Sequence, residues 1–155
     1  MAGLPQPEVG LVISYLYLWK EEEERGLVEG RKDRPCAIVL TIDHPDPEAG
    51  GHKQVAVAPI THSSPQDLSV AVEIPLRVKE HLGLDSERSW VILDEVNVFT
   101  WPGFDLRPIR RREDRMDYGL LPPKLFDRLI ARFTELRAQG KVAAASRDDP
   151  TSAVR

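Results

Sequence analysis

A single cysteine, Cys36, stands in this chain of 155 residues. One thiol closes no internal disulfide and cannot build a cysteine-rich zinc site, which fits a reducing compartment. It lies inside the apolar run 36–40, where a small buried core residue is expected rather than a catalytic nucleophile. No apolar stretch reaches the length of a membrane span, and the longest, 9–19, carries Ser14 and two tyrosines. Residues 1–8 lack the basic region and long apolar core of a signal peptide, so a cytoplasmic protein with no membrane partner is expected. Also missing are Gly-x-x-x-x-Gly-Lys-Ser/Thr, Gly-x-Gly-x-x-Gly, Gly-x-Ser-x-Gly and His-Glu-x-x-His. Their absence lowers the standing of nucleotide hydrolysis, dinucleotide redox chemistry, an esterase elbow and a zinc protease. His44, His52, His62 and His81 are scattered without metal-ligand spacing, and no cofactor or metal is expected. A net charge of -4 argues against a general nucleic-acid coat.

What remains is an ordinary globular composition, 41% apolar and 30% charged, with charge gathered in two places. Glu21 to Glu24 form an acidic block, while Arg107, Arg110, Arg111, Arg112 and Arg115 form a basic one diluted by Glu113 and Asp114. The basic block suits RNA steering or an acidic peptide, and equally a solvated loop.

Val9, Leu11, Ile13, Tyr15, Tyr17 and Trp19 recur with period two, which predicts a long central strand. Residues 20–33 break every period and predict a loop with a helical turn among the glutamates. Strands are expected at 36–42, 54–60, 69–74, 90–93 and 96–101, with 106–118 irregular. Trp90 is expected in the core and Trp101, beside Pro102-Gly103, at an exposed surface. A short inserted helix is predicted over 75–82, where Pro75 opens it and Gly83 ends it. A second helix starts at Pro122-Pro123 and stops at Gly140, with Leu125, Phe126, Leu129, Ile130, Phe133 and Leu136 on one stripe. Short strands at close spacing predict a mainly β fold, a strongly bent sheet or small barrel. Residues 1–141 are expected to form one domain and 142–155 a disordered tail.

Two strands of that set meet at one rim. Arg34 precedes Pro35, which should hold it extended at a strand's mouth. Pro59 cannot donate to a sheet ladder, so its strand should reach an edge or end there and leave Thr61, His62 and Ser63 on the rim. A fixed guanidinium and a hydroxyl suit an anion: Arg34 offers forked donors to phosphate oxygens. Its alternative is a surface salt bridge to Asp33 or the glutamates. Thr61 can donate to a phosphate oxygen or tie down the following turn. His62 titrates near neutral pH and can serve as acid or base, though in a regular strand it faces away from Thr61. Arg31, Lys32 and Ser63 are candidate RNA-binding neighbours.

The order of these pieces resembles the MazF/PemK-type toxin endoribonucleases. The resemblance rests on Arg34-Pro35, Ala37 to Leu40, Val57-Ala58-Pro59-Ile60-Thr61, Val72-Glu73-Ile74, Leu82-Gly83-Leu84 and the run from Ser89 through Leu93 to Asn97. It implies an SH3-like barrel, a homodimer, metal-independent cleavage of single-stranded RNA (mRNA), and an acidic antitoxin protein as partner. It also implies that Arg34 and Thr61 are the catalytic pair. In the loop before Arg34 the chain departs from the family, carrying Arg25-Gly26-Leu27-Val28-Glu29-Gly30 where many members have a Gly-Ser-Glu-Gln-like stretch. The rival reading is a non-catalytic SH3-like module that binds nucleic acid or an acidic peptide at the same rim. A third is an enzyme whose site has decayed.

Overall fold

The alternation that begins at Leu11 does form a strand, β1 (Leu11–Leu16), but it stops sooner than its pattern. From Leu18 onward the backbone finds a different partner: the Asn97 side-chain amide accepts from the Leu18 N–H (2.9 Å) and donates to the Leu18 carbonyl (2.8 Å). The computed structural model of the chain describes residues 4–27, 30–46, 48 and 50–148. Among them are eight strands and three helices. After β1 come α1 (Lys20–Glu24), β2 (Asp33–Asp43), β3 (Lys53–Thr61), β4 (Ala71–Glu73), α2 (Leu76–Leu82), β5 (Trp90–Ile92), β6 (Glu95–Thr100), β7 (Asp117–Leu120), α3 (Pro123–Ala138) and β8 (Ala143–Ser146).

The strands form one curled sheet in the order β4-β5-β3-β2-β1-β7, with β6 on β3 and β8 on β6. β3 forks: its first half pairs with β6 as far as Val57, and its last residues, Ile60 and Thr61, pair with β5. Pro59 falls between the two partners, where its missing N–H leaves no ladder bond unmade.

Pro35 is a correction to expectation, because it sits third in β2 rather than at its mouth. It pairs with Ser14, whose N–H and carbonyl both turn the other way, to the Met116 carbonyl and the Arg107 N–H. Pro35 therefore occupies a non-hydrogen-bonded position, where proline is tolerated.

Both faces of the sheet are covered. On one face Ile13, Tyr15, Ile38, Val57 and Phe99 form one buried cluster, together with Cys36. On the other Val12, Ala37, Val39, Ala56 and Ala58 share a cluster with Leu125, Leu129, Phe133 and Leu136 of α3. Each of the larger side chains, Leu125, Leu129, Phe133 and Leu136, stabilises the fold by about 1.5–3 kcal/mol when taken out of water, which outweighs the weak helix-capping at Pro122. α2 ends as its sequence predicts, with Gly83 in the left-handed region at φ 74°.

Three expectations fail. Within the stretch expected to be irregular, β7 pairs with β1. Part of the expected tail is strand β8, parallel to β6 and anchored by Asp148, which accepts from the Thr100 N–H (2.7 Å) and hydroxyl (3.0 Å). Residues 149–155 of that tail lie outside the described residues. Trp101 is buried, its ring 6.1 Å from that of Phe99, because it extends the inward alternation of β6 by one step. Trp90 is buried as expected. No described helix is long and apolar enough to cross a membrane.

Candidate functional site

The β2–β3 register fixes where Arg34 and Thr61 lie. Its terminal pair is Cys36 with Pro59, so Arg34 and Thr61 each stand two residues farther along, at the same end of neighbouring strands. Both line one cleft of about 1240 Å³, with Lys32, His62 and Ser63. The bend that His62 requires is present: β3 ends at Thr61 and the chain turns at His62 and Ser63, so consecutive side chains share the cleft.

Arg34 lies opposite Tyr15 of β1, with its guanidinium carbon 4.9 Å from the centre of the Trp19 ring. Among the described residues it has no ion-pair partner, neither Asp33 nor the glutamates, and its Nε is buried without a hydrogen-bond partner. A buried N–H left unpaired is uncommon and calls for an explanation. Trp19, which the sequence pattern assigned to a strand, is instead the platform beneath Arg34. Asn97 holds the backbone just before it, and the Glu95 carboxylate accepts from the Tyr17 hydroxyl (3.0 Å) and the Lys20 N–H (2.9 Å). Burial pushes the Glu95 carboxyl above its ordinary value despite those bonds.

Thr61 Oγ accepts a hydrogen bond from the Ser63 N–H at 3.1 Å, which ties down the turn and leaves the hydroxyl proton to donate elsewhere. Arg31 sits outside this cleft. Its Nε is 3.4 Å from Glu22, and it lines a neighbouring hollow of about 460 Å³ beneath Trp19.

The arginine cluster divides by use. Residues 105–107 run along β1 and the chain returns to β1 at Met116, so 108–115 project as a loop closed by backbone bonds between Ile109 and Arg115. Arg107 caps the carbonyls of Phe104 and Leu106, and Arg115 pairs with Asp117 at 3.0 Å. Arg110, Arg111 and Arg112 line the cleft, and like Lys32 they have no ion-pair partner among the described residues.

Also lining the cleft, His62 has its Nε2 2.6 Å from Asp85 Oδ2 and its Nδ1 3.6 Å from Glu87. Behind Asp85 is Lys79, 2% exposed, which donates to Asp85 Oδ1 (2.5 Å), the Ser89 hydroxyl (2.6 Å) and the Glu87 carbonyl. No pattern in the sequence flags Lys79, since a lysine next to Val78 on a short helix reads as solvent-facing. Burial pushes the Asp85 carboxyl up, but the Lys79 and Glu87 hydrogen bonds and the Lys79 and His62 charges together hold it below its usual range. His62, Asp85 and Glu87 could surround a cation, but the Lys79 ammonium already occupies the cationic place beside Asp85. Cys36 is fully buried and burial pushes its thiol up, so it offers no thiolate.

Compared with known proteins, the chain matches no family model, no curated protein and no solved structure. The fold and the cleft therefore define the class on their own: a mainly β protein with a curled eight-stranded sheet and, at one strand end, a cleft lined by charged residues of both signs, Asp33, Asp85 and Asp117 as well as Lys32, Arg34 and the arginines at 110–112.

Proposed function

We propose that this chain is a toxin endoribonuclease of the MazF/PemK type, an SH3-like barrel that cuts single-stranded RNA in this cleft without a metal ion. The observation that carries the reading is the placement of Arg34 and Thr61 on one cleft, with an unpaired buried donor on Arg34. In this reaction the ribose 2′-hydroxyl attacks the neighbouring phosphorus, and a crowded anionic phosphorane must be stabilised. Arg34 meets that charge, being permanently cationic and far too weak an acid to serve as base. Thr61 orients the phosphate through the proton its turn bond leaves unused. Lys32, Ser63 and the arginines at 110–112 draw the backbone of the RNA into the cleft, whereas Arg31 acts at its margin. The protein acts as a cytoplasmic homodimer restrained by an acidic antitoxin, for which the same unpaired arginines are the complementary charge.

Purified protein incubated with a long unstructured RNA in chelator is expected to give 2′,3′-cyclic phosphate and 5′-hydroxyl ends, and Arg34→Ala to lose this activity. One observation favours the rival binding module, namely that Thr61 already has a structural task in its turn. RNA binding without cleavage, unchanged in Arg34→Ala, would decide for that module.

A further inference from the structure

We propose that His62 is the general acid of the cleavage, oriented by Asp85, which a buried Lys79 in turn holds in place. This assignment rests on the nuclease reading above and adds to it the group that protonates the leaving oxygen.

Three observations converge. His62 is half-exposed and lines the cleft that Arg34 and Thr61 also line. Its two nitrogens are unequal. Nε2 is fixed on Asp85 at 2.6 Å, while Nδ1 stands 3.6 Å from Glu87, beyond a good hydrogen bond, and can pass its proton to another acceptor. Asp85 itself cannot turn away, because Oδ1 accepts from Lys79 (2.5 Å) and from the Glu87 N–H (3.1 Å) while Oδ2 faces the ring. All three N–H bonds of Lys79 are committed, to Asp85, Ser89 and the Glu87 carbonyl. A nucleophile–base–orienter arrangement has the same logic: a ring with one nitrogen anchored presents the other to the reaction.

Carboxylates and a cation surround the ring. Asp85 and Glu87 face it from the turn before β5, Lys79 stands behind Asp85 on α2, and Arg34 and the arginine loop lie elsewhere along the cleft. The step balances as follows. The 2′-oxygen forms its bond to phosphorus as its proton passes to water. The bond from phosphorus to the 5′-oxygen breaks, and the Nδ1 proton moves to that oxygen, giving the 5′-hydroxyl fragment. Water then reprotonates the neutral ring.

The test compares His62→Gln, Asp85→Asn and Arg34→Ala on two RNAs, one ordinary and one with sulfur in place of the 5′-bridging oxygen at a single linkage. A thiolate leaves without a proton, so it makes the acid dispensable. His62→Gln is expected to slow the ordinary RNA by about 10²-fold or more and to lose the fall in rate at high pH. It should recover near wild-type rate on the sulfur-bridged RNA, with Asp85→Asn intermediate and Arg34→Ala slow on both. Equal slowing of His62→Gln on both substrates, or an unchanged pH profile, overturns the acid role and leaves the nuclease reading intact. A wild-type chain that cleaves neither RNA overturns both.

Discussion

Two regions of the cleft hold their cations in opposite ways. Lys79 is buried and every one of its N–H bonds has an acceptor, whereas Arg34 rests on an aromatic ring with a buried Nε that has none among the described residues. A satisfied buried charge is part of the fold, and removing it strands its partners. A cation left with unpaired donors contributes little to the fold and is available to a ligand. The difference assigns Lys79 to architecture, although sequence alone suggests a solvent-facing Lys79, and it is what the proposed role of Arg34 requires.

Paired substitutions should separate the two regions most sharply. Arg34→Ala should lower RNA cleavage by about 10²–10³-fold, the usual effect of removing one donor to a developing anion. Its stability should fall by no more than about 1 kcal/mol, the worth of a cation–π contact. Lys79→Ala removes the ammonium that Asp85, Ser89 and the Glu87 carbonyl share, leaving Asp85 with only the Glu87 N–H and His62. Breaking a buried pair costs about 3–5 kcal/mol, and the half-exposed Asp85, which water can partly resolvate, brings this to about 2–3 kcal/mol. Urea unfolding of both variants checks the ranking, and an Arg34→Ala that unfolds more easily than Lys79→Ala would erase the contrast between the regions.

Asn97→Ala probes the support of the Arg34 region. Asn97 is fully buried, and its loss leaves the Leu18 N–H and carbonyl unpaired, for a cost of about 1–3 kcal/mol. Because Trp19 follows directly, RNA cleavage should fall as well. A stability loss with full activity would show that Arg34 does not depend on the Trp19 platform. The arginine loop should behave differently again. Replacing Arg110, Arg111 and Arg112 together by alanine should change stability by less than about 0.5 kcal/mol, since no ion pair is lost. RNA affinity should become less salt-dependent, by about 0.7 in the logarithmic slope for each phosphate contact removed. An unchanged slope would place the RNA elsewhere.

How much of this was legible in the sequence follows from the range of the interactions. The stripe on α3 and the alternation in β1 are set by nearest neighbours, and both are read directly from residue order. The shared end of Arg34 and Thr61 was legible because Arg34 directly precedes Pro35 and Thr61 lies two residues after Pro59, and a proline's backbone limits are local. Lys79, Asp85 and Ser89 are joined only in three dimensions, and none belongs to a periodic pattern. The strand β8 is hidden for the same reason: Ala-Ala-Ala-Ser has little intrinsic preference for a strand and is held by β6, Thr100 and the Asp105–Arg147 pair at 3.1 Å. Trp19 kept its period-two position on paper, and only the Asn97 amide, far away in the chain, turns it from a strand residue into a platform.

The smallest predicted effect tests whether the two regions also differ electrostatically. Burial raises Glu95 in the Trp19 region, while in the other the Lys79 bond and its neighbours outweigh burial and lower Asp85. The signs are opposite. From the ordinary glutamate value of 4.5 upward the folded chain holds its Glu95 proton more tightly than the unfolded chain, so stability declines as pH rises until Glu95 is ionised in both. Asp85 contributes stability that is present above its ordinary value of 3.8 and is lost as pH falls through its lower folded value. Glu95→Gln keeps an oxygen to accept from Tyr17 and Lys20 but cannot ionise. In denaturation curves across pH 4 to 7 it should flatten the decline and match or exceed wild type at pH 7, while Asp85→Asn should alter the acid limb. A Glu95→Gln chain less stable than wild type at pH 7 would mean that the carboxylate is held charged, and that the region around Arg34 uses charge much as the region around His62 does.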